Sequence, residues 1–421
     1  MEVLFEGQVR VRDEECTLVL TQTQAEWTYK GKKYAYLYSD VLGAVSNTQS
    51  SAFSILIYGF AGPKEGEREF RVGTKQRISF KADQVQVWVA HIQSLILDGH
   101  LSPSPDVSIP RKRFLVLVNP ASGKGQAVVK WNTAHPLFEA CTLTVICTPY
   151  TATTHRGHAE ELVTGTDWAL FDGVVVVSGD GLMHEVVNAL CKMGRVEVPV
   201  AALPGGSSNA MACVLCENSG LPCTLFNSAY VTIKGKSAKL DITRINRENE
   251  PPIYSFLSVS WGFIADTDIG SDTLRWLGSL RFDLYGLWRL MRLRRYSGTL
   301  TMWEDSGEVT ESGGFLSFIS CNLPLIGVGM HVAPRAALND GFNDLLFVRS
   351  EHTGRFGLAR VLLRQDSGRH LDLQQLHYVK ARRWRLVPNV PEGIFSIDGE
   401  MYPAGPIEAE VVPGLALTLA L

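Results

Sequence analysis

VVVVSGDGLMHEVVNAL, residues 174–190, decides how the chain is read. Four β-branched residues in a row suit a strand buried on both faces. Beyond them Leu182, Met183, Val186, Val187 and Leu190 recur at the helical period, so residues 178–181 predict a tight strand-to-helix turn. A lone acid, Asp180, stands in that turn between two glycines. On residue type alone it serves equally as the N-cap of the helix and as an acid held at a strand end for chemistry.

The same grammar repeats outward. FLVLVN (114–119), TLTVICT (142–148), GVVVVSG (173–179) and VPVAALPG (198–205) are compact apolar runs, each followed by a polar turn. They predict an open α/β sheet, in which the turns after the strands gather at one edge and bind ligands. Those turns read NPASGKGQA (119–127), TATTHRGHA (151–159), SGDGLMHEV (178–186) and PGGSSNAMA (204–212). Glycine lets backbone N–H groups approach an anion, and a helix start beyond adds its positive end, so such turns suit phosphate. The first is no Walker loop, because Lys124 is followed by Gly125 rather than Ser or Thr, and GxGxxG is missing as well.

Residues 3–80 break into about seven short β-branched or aromatic runs. From Asp83, Val85, Trp88, Val89, Ile92, Leu95 and Ile96 then repeat at helical spacing, which is the pattern of a pleckstrin-homology-like module. A Pro- and Ser-rich linker, LSPSPDVSIPRKR (101–113), follows. The expected domains are 1–108, a pleckstrin-homology-like β domain; 109–240, an α/β lobe; and 241–421, a β-rich, sandwich-like lobe whose last strands can return to the α/β lobe. With 40 basic and 43 acidic residues the net charge is -3, which argues against a nucleic-acid partner. The start MEVLFEGQVR lacks the basic and apolar parts of a signal peptide, and no apolar run reaches spanning length. A cytoplasmic protein, at most peripheral on membranes, is expected. Of eight cysteines only Cys213 and Cys216 have CxxC spacing, so core thiols in a reducing compartment are expected.

Taken in order, the four turns resemble those of the diacylglycerol kinase-like lipid kinases, and SGDGLMHEVVNAL is similar to the sphingosine kinases among them. WGFIADTDIG (261–270), RWLGSLRF (275–282), HVAPRAALNDG (331–341) and FSIDGEM (395–401) extend the resemblance over 113–421. It implies an ATP- and Mg²⁺-dependent kinase acting on the primary hydroxyl of sphingosine or a related long-chain base, with Asp180 as catalytic base. The nucleotide contacts it implies are Asn119, Pro120, Ala121, Ser122, Gly123 and Lys124; Thr153, Thr154, His155, Arg156 and Gly157; Ser178, Gly179 and Glu185; Gly206, Ser207 and Ser208; and the clamp Arg275 and Arg281. Asp398, Gly399 and Glu400 match an acidic pair near nucleotide and metal; read as strand residues two apart, both acids would share a face. For the lipid it implies Ser178 to Gly181 beside the reacting hydroxyl, Asp266 and Asp268 at the pocket mouth with Asp268 matched to the head group, and Phe263, Ile264 and Phe282 behind, with Leu284 a further apolar candidate. The stretch with Arg289, Arg292, Arg294 and Arg295 interleaved with apolar residues reads as a membrane-facing segment or a solvated helix end. Two departures stand out: GSSN where the family has GSGN, and Trp276 where a second basic residue is common. A ceramide kinase and a non-catalytic lipid-binding scaffold are the alternatives.

Overall fold

Val174–Val177 are no more than 2% exposed in the computed structural model, because the strand Gly173–Ser178 runs through the middle of a parallel sheet. The structure describes residues 2–38, 41–47, 51–60, 73–98, 112–140, 145–147, 150–278, 280–304, 307–351, 353–389 and 393–421. The expected linker lies outside the described residues except for Lys112 and Arg113. Lys112–Val118 and Pro199–Pro204 flank the central strand in parallel, and Val145–Cys147 and Thr151–Ala152 share the outer edge of Lys112–Val118.

The helices around this sheet are α2 (Ala127–Ala140), α3 (His158–Thr164), α4 (Asp180–Met193), α5 (Ala210–Asn218) and α6 (Leu225–Lys234), after an α1 (Val85–Asp98) in the N-terminal domain. The last strand, Ile407–Ala420, pairs parallel with Pro199 and Val200 and antiparallel with Lys236–Arg247. Two lobes therefore share one continuous sheet. Strands from Ser258 to Pro403 build the second lobe around Trp261, Phe315, Phe318, Trp384 and Phe395. Helices α7 (Phe263–Gly270), α8 (Leu280–Met291) and α9 (Arg355–Leu362) stand on it. Among the described residues no helix is long and apolar enough to cross a membrane.

The thiol expectation is corrected at one place. Cys213 in α5 and Cys223 form a disulfide, their Cα atoms 4.7 Å apart, because the chain doubles back through Gly220 after the helix ends. Cys216 of the CxxC pair stays a buried free thiol.

The N-terminal domain is a seven-stranded antiparallel sheet followed by α1. It is anchored to the α/β lobe. Leu42, 1% exposed, belongs to that lobe's core rather than to its own domain's, and Lys234 Nζ donates to the Tyr38 carbonyl at 2.9 Å. Burying a leucine across the junction couples the two folds. Leu42→Ser is expected to cost roughly 2–5 kcal/mol and to lower the Tm of the whole chain in one transition; an unchanged Tm, or separate melting of the N-terminal domain alone, would show an independent module.

Candidate active site

The turns after the parallel strands meet backbone against backbone. A Cβ on Gly206 would stand 2.4 Å from the Gly179 Cα, and one on Gly123 would stand 2.1 Å from the Gly205 carbonyl oxygen. Only glycine permits this packing. It presses the first, third and fourth turns into one floor, beneath a cleft of about 2010 Å³ between the lobes. Asn119–Lys124, Thr153–Arg156, Ser178–Gly181, Glu185 and Gly206–Ser208 line the α/β side; Phe263, Ile264, Asp268, Arg281 and Phe282 line the other, with Gly399 and Glu400 at their junction. Gly157 is not in the cleft wall.

Asp180 is the first residue of α4, whose N-cap is Gly179. It does not cap its own helix. Its carboxylate crosses to the start of α5 and accepts from the Ala210 and Met211 amides at 3.0 and 3.4 Å. Burial pushes its pKa up to about 6 against the pull of those two amides, and the negative charges of Asp398 and Asp268 push the same way. At pH 7 it is still ionised by roughly ten to one, which suits a group that must accept a proton.

Several residues expected to meet ligand hold protein instead. Glu185 lines the cleft, but its two oxygens accept from the Gly157 and Ala159 amides at 3.0 and 3.1 Å, fixing the second turn at the start of α3. Asp398 is not in a strand: Asp398 and Gly399 have φ of 51° and 85°, a two-residue hairpin turn between Ile394–Ile397 and Glu400–Pro403. Its carboxylate accepts from five donors, the Ser255 hydroxyl, the amides of Phe256, Leu257 and Ser258, and Nδ1 of His184 at 2.8 Å. None of its capacity remains for a metal. Glu400 points the other way, into the cleft, and pairs with Arg156 of the second turn at 2.5 Å. Asp266 is likewise turned away, because ADTD lies in α7 and not in a strand; it is bound by Arg289 and the Tyr296 hydroxyl. Asp268 does reach the cleft and accepts from the Ser396 hydroxyl at 2.6 Å.

Arg281 is buried at the cleft, paired with Asp272 and stacked 4.4 Å from the Phe282 ring, while among the described residues its Nε meets no acceptor. Arg275 lies in the Ser271–Leu277 3₁₀ turn, and its side chain is outside the described residues. Leu284 is exposed rather than in the pocket. His184, inside the deciding stretch, had no expected role; its polar spacing of four with Asp180 and Asn188 among the apolar residues of α4 was the available signal.

An α/β lobe whose glycine turns floor a cleft, joined to a β-rich lobe that supplies acids and apolar walls, is the architecture of the diacylglycerol kinase-like kinases. Residues 113–245 match the diacylglycerol kinase catalytic domain, and 257–421 match the YegS C-terminal NAD kinase beta sandwich-like domain. A crystal structure of a diacylglycerol kinase from Bacillus anthracis str. Sterne shares the fold with a TM-score of 0.55 at 18% identity, over 74% of this chain and 97% of that one. Sphingosine kinase 1 of Arabidopsis thaliana is 30% identical over 71% of this chain and 70% of its own length. Sphingosine kinase 1 of Homo sapiens is 30% identical over 72% and 90%. Sphingoid long chain base kinase 4 of Schizosaccharomyces pombe is 30% identical over 73% and 75%. The chain belongs to the sphingosine kinase family.

Asp180→Asn is expected to lower kcat by ~10² or more, since the amide cannot accept the proton, with nucleotide affinity unchanged. Because the folded-state pKa lies above the ordinary value, the ionised acid costs stability, a cost that grows as pH rises from the ordinary carboxylate range to about 6. The variant gives up one of the two acceptor oxygens and does not titrate, so the Tm of the wild type should fall relative to that of the variant as pH rises from about 4 to about 6. In the wild type, kcat/KM should fall tenfold per unit as pH drops below about 6. Residual activity within tenfold of wild type would remove Asp180 from the chemistry.

Proposed function

We infer that the chain transfers the γ-phosphoryl group of ATP to the primary hydroxyl of sphingosine or a related long-chain base. The observation that carries this reading is Asp180, a buried base between the phosphate-type turns and the side of the cleft that holds Asp268. The substrate hydroxyl gives its proton to Asp180 as its oxygen bonds the γ-phosphorus. The bond to the β,γ-bridging oxygen breaks, and ADP leaves. Amides of the glycine turns and the start of α4 would face the phosphates, and the Arg281 guanidinium lines the opposite side of the cleft.

Mg²⁺ takes one or two carboxylates together with phosphate oxygens. Glu400, in the cleft beside Arg156, fits that demand, and Asp398 does not. When bound, the ion would neutralise charge on the phosphates.

Asp268 supports a long-chain base over ceramide. A base carries an ammonium next to its reactive hydroxyl, whereas an acylated nitrogen has no charge to offer a carboxylate. A non-catalytic scaffold is disfavoured by the cost of keeping Asp180 buried and ionised without chemistry to justify it.

Peripheral membrane association completes the reading. On α8, Leu280, Leu284, Leu287, Trp288 and Met291 are all exposed and form one apolar stripe, followed by the exposed Arg292, Arg294 and Arg295. That is the pattern of a helix that lies in a bilayer interface, and Leu287 also lines the cleft. The seven strands and closing helix of the N-terminal domain support a pleckstrin-homology-like kinship. Burial of its Leu42 in the α/β core and the Lys234–Tyr38 bond favour docking on the α/β lobe as its role.

Two measurements test these assignments. At saturating Mg-ATP, Asp268→Asn should lose about 1–3 kcal/mol in kcat/KM for sphingosine with the KM for ATP unmoved, and ceramide should be a poor substrate of both proteins; equal sphingosine kinetics, or preference for ceramide, would defeat the ammonium reading. Leu284→Glu with Met291→Glu should abolish sedimentation with anionic phospholipid vesicles while leaving micellar activity intact. Undiminished vesicle binding would place the membrane contact elsewhere.

A further inference from the structure

Phosphoryl transfer in this cleft needs Asp180, on the first lobe, and Asp268, on the second, at one separation. Apolar packing is non-directional and sets no such register by itself. Two buried polar residues on α4 fix by directed bonds the segment that enters the second lobe, Asn188 at Tyr254 and His184 at Asp398 within that lobe. His184 and Asn188, 5% and 4% exposed, lie one and two turns beyond Asp180 on one helix face. Asn188 exchanges both of its amide functions with the backbone of Tyr254, donating to its carbonyl at 2.7 Å and accepting from its N–H at 2.9 Å. His184 donates to Asp398, and Asp398 in turn gathers the hydroxyl and amides of Ser255–Ser258 and donates its own N–H to the Ser258 carbonyl.

This segment is the root of the lipid side. From Ser258 the strand Ser258–Gly262 leads directly into α7, which carries Asp268, and it pairs with Ile394–Ile397, whose Ser396 holds the Asp268 carboxylate. An unbroken series of bonds thus runs from the helix that begins with Asp180 to the acid on the opposite lobe. Fully bonded buried polar groups of this kind fix one arrangement among several that apolar contact would tolerate.

We propose that His184 and Asn188 are positioning residues that set the separation between Asp180 and Asp268, and so the alignment of the lipid hydroxyl with the base. The proposal rests on the reading of those two acids given above. It is tested with His184→Ala, His184→Gln and Asn188→Leu in the full chain, counting only molecules that bind nucleotide. His184→Ala and Asn188→Leu should lower kcat for sphingosine on the order of 10²-fold, the size of effect a 1 Å misplacement produces, while the separate affinities for ADP and for a fluorescent long-chain base stay close to wild type. His184→Gln, whose amide can still donate to Asp398, should recover most of the rate. Spin labels at the exposed positions Glu197 and Thr310, one on each lobe, should report a broadened distance distribution in His184→Ala and a narrow one in His184→Gln. Unchanged kcat per nucleotide-binding molecule in both disruptive variants, a glutamine variant as impaired as the alanine one, or a wild-type distance distribution throughout would each overturn the proposal. Should His184→Ala fail to fold, Asn188→Leu and His184→Gln carry the same comparison. A wild type that phosphorylates no long-chain base would sink the functional reading instead, and the distance measurement would still decide whether the residues set the lobe register.

Discussion

The acceptance of two α5 amides by Asp180 is the contact on which the site depends. An acid buried this deeply would protonate without compensation, and without the acid the start of α5 would leave donors unmet. Each solves the other's problem only in part, which leaves the pKa near 6 rather than far above or below it. The contact also dictates how the turns must run. For one residue to open α4 and reach the start of α5, the third and fourth turns must touch, and neighbouring strands lie only ~4.8 Å apart. The glycines at 205 and 206 follow from that geometry before any phosphate is considered.

The acids of the second lobe divide by the donors they find. Asp241 accepts from the Gly341 and Gly414 amides, and Asp398 from five protein groups, so both are fastenings. Asp268 and Glu400 face the cleft, meeting a serine hydroxyl and an exposed arginine that a ligand can replace. A carboxylate ringed by backbone amides gains most of its stabilisation from the fold, and moving it toward a ligand would break bonds that water cannot remake inside the core. Side-chain partners at a cleft are exchangeable.

Much of this was legible in the residues. The period of the apolar runs located the parallel sheet, the β character of the N-terminal domain and α1, though it ran Lys32–Leu37 and Val41–Asn47 together, and the order of the four turns located the turns that line the cleft. The strand reading of DGE was the failure: it begins in a turn with both central φ positive, so Asp398 and Glu400 do not share a face. Asp266, placed at the pocket mouth by resemblance, sits in a helix, where residues two apart point about 200° apart. The identity of the local element, not the acids themselves, carried the information. Leu42 and the Cys213–Cys223 bond were out of reach for another reason: each depends on which distant segment arrives beside it, and neither leaves a periodic trace.

Helix α8 is inverted, and its inversion has a cause. Its two buried side chains are arginines, Arg281 held by Asp272 and Arg289 by Asp266, while Leu280, Leu284 and Leu287 are exposed. A helix folding for its own stability would do the reverse, since each exposed leucine forgoes roughly 1.5–3 kcal/mol of burial. Asp266, two residues from the cleft-lining Asp268, is thus the anchor that turns α8 around. With its cations committed to the fold and its apolar side chains committed to the outside, the helix ties the phosphate end of the cleft to a surface that water does not favour. Under the membrane association proposed above, a bilayer-borne substrate would meet the protein at that surface, and Leu287 and Leu290 of the same helix stand in the wall of the cleft.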